Sequence, residues 1–433
     1  MKKTDFIWQT EKLKNPFLLL LQRLLITFEL FNRNGLTNHA AACAYGFLLS
    51  AAPALLFVAF FISRVLSASP ELTEGLFRQI SSLFSVFNVS DLIDNFLSST
   101  NSGLAGLISV ITMFWTARLC ALSAQRGLGV IFPGSRSVFK QNAVTLGLGI
   151  LTIIFIFTIL LGFRLVLNLY QSLEFLSTGA FPPIMTHLIQ LLFLVLLALL
   201  ALAAYRFAPA NPPKLKNIIP GVLACILFYR IFTAVFAFII DPGRYNLLYG
   251  TLGRLFLFLV NVYFFFTFFF FGAQLIQMLD ISDALLFTRF RKVHSKRIAP
   301  SSLVDKIFAS LPGPLNKYSV LYKKGDFVFS KGSQGKETYY VLSGEAGVYL
   351  DDKCQNRIAL IDETHFFGEM AFIASEGRAA SIKAETDLSV LSLPPELFHI
   401  ILQIDPDTDQ SLIRMLSDRL KTANQQVLTS DTD

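Results

Sequence analysis

The chain changes its hydrophobic pattern about two thirds of the way along. A helix needs about 20 consecutive apolar residues to cross a bilayer core. Helices at the surface of soluble proteins carry a polar face, and the long apolar runs of this chain show none. The pattern therefore predicts an α-helical bundle of six membrane spans. The runs are Ala40–Ser63, Ser99–Leu122, Gln141–Phe163, Pro183–Tyr205, Ile218–Ile240 and Leu255–Leu279.

Two further segments in this part have a distinct character. Phe17–Phe31 is apolar but too short to span, which predicts a helix lying at the membrane interface within an N-terminal arm, residues 1–39. The run Phe264–Phe271 is almost entirely phenylalanine. We expect its rings to face lipid.

The last third contains short runs of β-branched and aromatic residues separated by turn residues such as Gly325-Asp326 and Ser343-Gly344. Many short strands joined by such turns are typical of a barrel or jelly roll. We therefore expect an all-β jelly-roll domain with flanking helices over residues 303–427, including a helix at Pro395–Leu402. A basic linker, residues 280–302, would join it to the membrane domain, residues 40–279, and residues 428–433 would form a tail.

The distribution of charge predicts the orientation of the spans. Residues 2–297 contain 24 Lys and Arg against 11 Asp and Glu, whereas residues 305–433 contain 13 against 19. In the first part the basic residues are concentrated in alternate loops, and such loops face the cytoplasm. With six spans, both termini are then cytoplasmic. A basic membrane part beside an acidic domain gives no indication of nucleic-acid binding.

Cysteine and histidine indicate no catalytic or metal site. The four Cys and five His are scattered without ligand spacing. We therefore expect no metal, no cofactor and no enzymatic activity.

A few polar residues inside the apolar runs are candidates for a cavity. A charged group in a membrane is costly unless it is paired or hydrated. Arg230 lies in the middle of the fifth run, and Arg118, Arg254 and Asn261 could line the same cavity. The alternatives are side chains that reach the interface, or structural pairs between helices.

One stretch of the C-terminal domain carries recognisable chemistry. A short helical turn begins at Gly368-Glu369, and its free N–H groups favour an anion. Arg378 can pair with a phosphate, and Glu369 can accept a hydrogen bond from a sugar hydroxyl. A glycine, an acid and an arginine around such a turn indicate a site for a cyclic sugar phosphate.

This stretch resembles the phosphate-binding cassette of cyclic-nucleotide-binding domains. The shared pattern is Phe367-Gly368-Glu369, nine residues from Glu369 to Arg378, and then Ala379-Ala380-Ser381. The resemblance implies that Glu369 binds the ribose 2′-hydroxyl and Arg378 the cyclic phosphate, with Gly368, Ala371 and Ala379 lining the pocket. Ala379 stands where cGMP-selective members often carry Thr, which favours cAMP. Gly377 replaces a common Pro, and a domain that keeps the fold without the ligand is the alternative.

The membrane part resembles the YihY/BrkB family of six-span bacterial inner-membrane proteins. The resemblance rests on Leu36–Leu56, Phe114–Phe132, Tyr205–Gly221, Tyr249–Gly253 and Phe271–Leu275. It implies export or translocation of a lipid or envelope component.

Together the two parts predict a transporter or lipid translocase of the bacterial inner membrane, regulated by a cytoplasmic cyclic nucleotide. Its partners would be membrane lipids and the nucleotide, and a homo-oligomer is left open. Two alternatives stay open: a cyclic-nucleotide-gated channel, and a non-transporting envelope scaffold or sensor.

Overall fold

The computed structural model describes residues 16–60, 102–151, 181–239, 242–295, 302–350, 357–373, 377–406 and 410. Contacts divide the chain into two compact units. The helical unit is Thr27–Asp280, and the second unit combines Met1–Ile26 with Ile281–Asp433. The rest of the predicted third run, from residue 152, and the tail lie outside the described residues.

Helices make up the N-terminal region, and the predicted apolar runs are helical wherever they are described. Residues 138–151 are also helical. The named helices are α1 (Pro16–Arg33), α2 (Leu36–Phe60), α3 (Ser102–Ile131), α4 (Phe181–Phe207), α5 (Leu215–Ile239) and α6 (Pro242–Asp280).

Two helical segments in the described part are long and apolar enough to cross a membrane, Leu215–Ile239 and Leu255–Asp280. Only 11% and 17% of their most apolar stretches are buried inside the protein. The apolar surface of these helices therefore needs another apolar environment.

Close helix packing holds the core of the helical unit together. Gly221 of α5 and Gly272 of α6 lie so near each other that a Cβ on Gly272 would come within 2.6 Å of the Gly221 carbonyl oxygen. The buried Tyr205 hydroxyl donates to the Phe269 carbonyl at 2.6 Å. Small residues allow this approach of two backbones.

The prediction that the phenylalanine run faces lipid is wrong in part. Phe266, Phe269 and Phe270 are buried and belong to the same core as Tyr205. A helix turns its residues through all directions, so an eight-residue run cannot present every side chain to one environment.

The predicted all-β domain is confirmed. Its two four-stranded antiparallel sheets have the strand orders β1-β8-β3-β6 and β2-β7-β4-β5. Their inward side chains form one core, which includes Tyr339, Val341, Phe367 and Ile382. The strands are β1 (Ser319–Tyr322), β2 (Phe327–Phe329), β3 (Thr338–Ser343), β4 (Ala346–Tyr349), β5 (Arg357–Ile361), β6 (Phe366–Phe367), β7 (Ser381–Ala384) and β8 (Leu388–Leu393).

Helices flank the sheets in the same unit. They are α7 (Ser282–His294), α8 (Leu303–Phe308), a 3₁₀ helix (Gly313–Tyr318), α9 (Glu369–Ile373) and α10 (Pro395–Ile404). Helix α7 covers most of the segment predicted as a basic linker, and its apolar face is buried, including Phe287 and Phe290. Residues 282–294 are therefore packed structure within this unit.

Candidate functional site

The predicted cassette residue Arg378 is an arginine buried among aromatic rings. Only 4% of Arg378 is exposed. Its guanidinium carbon lies 4.2 Å from the centre of the Phe329 ring and 5.7 Å from that of Tyr339. Arginine stacks on such faces through cation–π attraction. The rings thus hold the guanidinium plane in place inside the domain.

Two acceptors complete the surroundings of this guanidinium. Nη1 of Arg378 donates to the Gly368 carbonyl at 2.9 Å, and Nη2 donates to the Glu337 carboxylate at 3.3 Å. Burial lowers the pKa of Arg378, and the neighbouring Tyr339, Glu337 and Glu369 act in the opposite direction. The side chain of Glu337 is half-exposed, so its carboxylate is the more replaceable of the two partners.

The turn that precedes α9 depends on a glycine. Gly368 has φ +80°, and a Cβ there would come within 2.7 Å of Nη1 of Arg378. Only glycine adopts this conformation without strain. The turn places Glu369 at the start of α9, where 1% of it is exposed and its charge acts on Arg378. The predicted acid and arginine are therefore brought together.

A neighbouring loop fixes the backbone of Arg378. The Gly332 amide donates to the Arg378 carbonyl at 2.8 Å, and the Arg378 amide donates to the Ser333 carbonyl at 3.1 Å. The buried Ser381 hydroxyl accepts from the Lys331 amide at 2.9 Å. Both ends of the Arg378–Ser381 stretch are thus held by the loop after β2.

The other predicted residues of the cassette differ in how deeply they are buried. Ala371 is buried on α9, Ala379 is exposed, and Ala380 is half-buried. The sequence prediction missed Phe329 of β2, Glu337 just before β3, and Tyr339 of β3. Their positions carry no local motif, and only the pairing of distant strands brings them to Arg378.

An aromatic cluster connects the cassette to the flanking helices. Phe366, two residues before Gly368, lies 5.0 Å from Tyr340 between ring centres. Phe287 of α7 meets the edge of Tyr340 at 5.3 Å, and His294 Nδ1 lies 3.0 Å from the Tyr340 hydroxyl. The strand that leads into the cassette therefore packs directly on α7.

A buried carboxylate joins α7 to the end of α10. Asp405 is 0% exposed and accepts from Nη2 of Arg291 at 3.0 Å. Lys292 adds a second cation, 3.6 Å from Asp405. The two cations compensate the cost of burying the carboxylate.

Three of the four polar residues predicted to line a membrane cavity have side chains that the structure describes. Arg118 donates to Asn142 at 3.4 Å, Asn261 accepts from the Tyr229 hydroxyl at 2.8 Å, and Arg230 is exposed. The side chain of Arg254 lies outside the described residues. Within the described part of the chain, no group of three or more His, Cys, Asp or Glu could hold a metal ion.

Comparison with known families separates the two parts. Residues 27–289 match the family model described as virulence factor BrkB. The chain belongs to the BrkB family. This family is one of membrane proteins. Residues 319–405 match the model of the cyclic nucleotide-binding domain, and this match contains the whole cassette around Arg378.

Individual curated relatives match a limited part of the chain. The chain is 32% identical over 112 residues to the human cyclic nucleotide-gated channel beta-3, which covers 24% of this chain and 14% of the channel. It is 35% identical over 130 residues to the cAMP-dependent protein kinase type II regulatory subunit of Drosophila melanogaster, covering 30% of this chain and 29% of that protein. The chain thus spans less than a third of these curated relatives.

A solved structure with similarity to the chain is the Thermus thermophilus catabolite activator protein. It is 28% identical, with a TM-score of 0.24, and the similarity covers 25% of this chain and 52% of that chain.

Proposed function

We propose that the protein is a multi-pass protein of the bacterial inner membrane whose transport activity is controlled by a cytoplasmic cyclic nucleotide. The BrkB domain would form six spans with both termini in the cytoplasm, as the basic loops predict. It would move a lipid or another envelope component. Catalysis has no part in this proposal.

The observation that carries the regulatory part is the buried guanidinium of Arg378 beside the Gly368-Glu369 turn, inside a cyclic nucleotide-binding domain. A cyclic phosphate would take the hydrogen bond that Nη2 now gives to Glu337 at 3.3 Å. The exchange would keep a charge-assisted hydrogen bond on the guanidinium, because the phosphate and the Glu337 carboxylate are both anions. Glu369 would accept a hydrogen bond from the ribose 2′-hydroxyl. Gly368, Ala371 and the stretch from Ala379 to Ser381 would surround the ligand.

The packing around the cassette supports the proposed regulation. Phe366 contacts Tyr340 and α7, and α7 follows α6 after the single residue Ile281. A ligand that moves β6 would therefore act on the segment that continues the last helix of the membrane domain. Such control requires that the nucleotide bind two states of the protein unequally.

A second candidate is a non-transporting envelope sensor. The close contact of Gly221 with Gly272 and the buried rings of Phe269 and Phe270 fill the described core of the helical unit. A transporter needs a polar route, so dense packing favours this alternative. Transport of a labelled lipid across vesicles containing the protein distinguishes the two.

The first test is a calorimetric titration of the full-length protein with cAMP and cGMP. We expect micromolar binding, weakened about 100-fold by Arg378→Ala, because a buried charge-assisted phosphate contact is lost. Arg357→Ala is the matched control, since Arg357 lies on the edge strand β5 of the same domain. Arg378→Lys, which keeps the charge, separates loss of binding from unfolding. Absence of binding by the wild-type protein would reject the proposed regulation.

A further inference from the structure

The first half of α1 belongs to the unit that contains the nucleotide-binding domain. Residues up to Ile26 group with Ile281–Asp433, although 255 or so positions separate them in sequence. This half also precedes the BrkB match, which begins at residue 27, and the nucleotide-domain match, which begins at residue 319. Neither family therefore accounts for it.

One amide forms a specific contact from this half. Gln22 is 2% exposed, and its Nε2 donates to the Ile307 carbonyl at 2.9 Å. Ile307 is the second-last residue of α8, and carbonyls in the last turn of a helix lack a partner inside that helix. The Gln22 amide satisfies this carbonyl, and Ile26, one turn further along α1, is buried as well.

A charge next to Gln22 points to the same surface. Burial lowers the pKa of Arg23, and the charge of Asp283 acts against this. Asp283, in the first turn of α7, accepts from Lys317 at 2.7 Å and from the Tyr318 hydroxyl at 3.0 Å. Asp283 thus joins α7 to the 3₁₀ helix, and its charge acts on α1 through Arg23. Arg289 of α7 lies over the Phe308 ring of α8, so α7, α8 and the 3₁₀ helix are linked to one another.

The sequence of α1 fits a docked segment better than a helix that only lies in lipid. Gln22 and Arg23 interrupt an otherwise apolar run, Phe17–Leu25. The glutamine has a partner inside the protein, while Phe17 and Leu20 remain exposed. The helix therefore has one face for the protein and another for an apolar surrounding.

We propose that Pro16–Ile26 is a built-in docking segment for the helical surface of the nucleotide-binding unit formed by α7, α8 and the 3₁₀ helix. Helix α1 continues without a break to Arg33, so its second half, Thr27–Arg33, belongs to the helical unit. The nucleotide domain would thereby influence the membrane domain through its first helix as well as through α7. This regulatory consequence rests on the proposed function, whereas the docking itself does not.

Amide hydrogen exchange of the full-length protein in lipid nanodiscs tests the docking without any nucleotide. Gln22→Glu keeps the size of the side chain but sets a carboxylate against the Ile307 carbonyl. We expect exchange in Leu303–Phe308 to rise about tenfold, because a satisfied carbonyl becomes a repelled one. Asn32→Asp is the matched control, since Asn32 is an exposed amide on the same helix. Gln22→Ala, which only removes the donor, is expected to give a smaller rise.

Unchanged exchange in Leu303–Phe308 for both Gln22 variants would overturn the docking. A second arm adds cAMP to the wild-type protein, with binding measured on the same sample. Binding with altered exchange in Pro16–Ile26 supports control through α1, and binding without it rejects that control. Failure of cAMP to bind rejects the proposed function and, with it, regulation through α1. The nucleotide-free arm still decides whether the segment docks.

Discussion

The helical unit and the nucleotide-binding domain encode their structures in different ways. The helical unit is specified by hydrophobicity spread over long runs, and its assembly depends on where small residues let backbones meet, as Gly221 and Gly272 do. The nucleotide domain is specified by alternating strands, and its chemistry depends on a few residues at fixed spacing, from Gly368 to Arg378. A single change should therefore disturb assembly in the first region and ligand binding in the second.

The largest effect is expected from Gly272→Val in the helical unit. A Cβ at this position would come within 2.6 Å of the Gly221 carbonyl oxygen and 2.8 Å of the Tyr205 hydroxyl. Backbone atoms cannot move aside as a flexible side chain can, so α5 and α6 must separate. We expect the free energy of unfolding to fall by about 3 kcal/mol or more, the upper range for overpacking. Size-exclusion chromatography in detergent would show an aggregated protein.

Gly129→Val is the control for this change. Gly129 also lies in a helix of the helical unit, but an added Cβ would have nothing within 4 Å. A well-behaved Gly272→Val protein with unchanged thermal stability would mean that close approach of the two glycines does not hold the unit together.

A smaller effect is expected from Asp405→Asn in the nucleotide domain. The substitution keeps the shape of a fully buried side chain but leaves Arg291, which is also largely buried, without its counter-charge. Removal of one partner of a buried pair costs about 3–5 kcal/mol. We expect the free energy of unfolding to fall by about 2 kcal/mol, which is less than this range, because Lys292 is partly exposed and solvent screens its charge.

The measurement for Asp405→Asn is hydrogen exchange in α7 and α10. A destabilisation of about 2 kcal/mol raises exchange through local opening about 30-fold. Glu396→Gln, at an exposed carboxylate of α10, should change neither helix. If α10 loses protection and α7 does not, α7 is held by its aromatic contacts rather than by the ion pair.

Sequence alone locates the helices and strands of each region but not the contacts that these elements make within it. Apolar runs correctly place helices around residues 218–240 and 255–279, yet the run of phenylalanines gives no sign that Phe269 and Phe270 face inward. In the nucleotide domain, the spacing from Glu369 to Arg378 identifies the cassette. Phe329 and Glu337 escape notice because strand pairing, which is non-local, brings them to Arg378.

Non-local contacts also explain why the packing of the predicted linker and of α1 was not foreseen from the sequence. Basic residues such as Arg291 and Lys292 read as solvent-exposed linker, but their partner, Asp405, lies more than 100 positions away. Gln22 likewise finds Ile307 at a separation of 285 residues. Polar side chains with distant partners are the features that a local pattern predicts least well.

The smallest change tests whether ligand preference can be altered without disturbing the fold. Ala379 is exposed beside Arg378, so Ala379→Thr should leave thermal stability unchanged. A hydroxyl there can donate to or accept from the base of cGMP, and one such hydrogen bond contributes about 1 kcal/mol, or roughly fivefold in affinity. We expect titration to show cAMP affinity nearly constant and cGMP affinity raised about fivefold. Ala359→Thr, the same substitution at an exposed position of the edge strand β5, is the control. An equal gain for both nucleotides would show that position 379 contacts the shared sugar phosphate, and preference for cAMP would then have to come from another part of the domain.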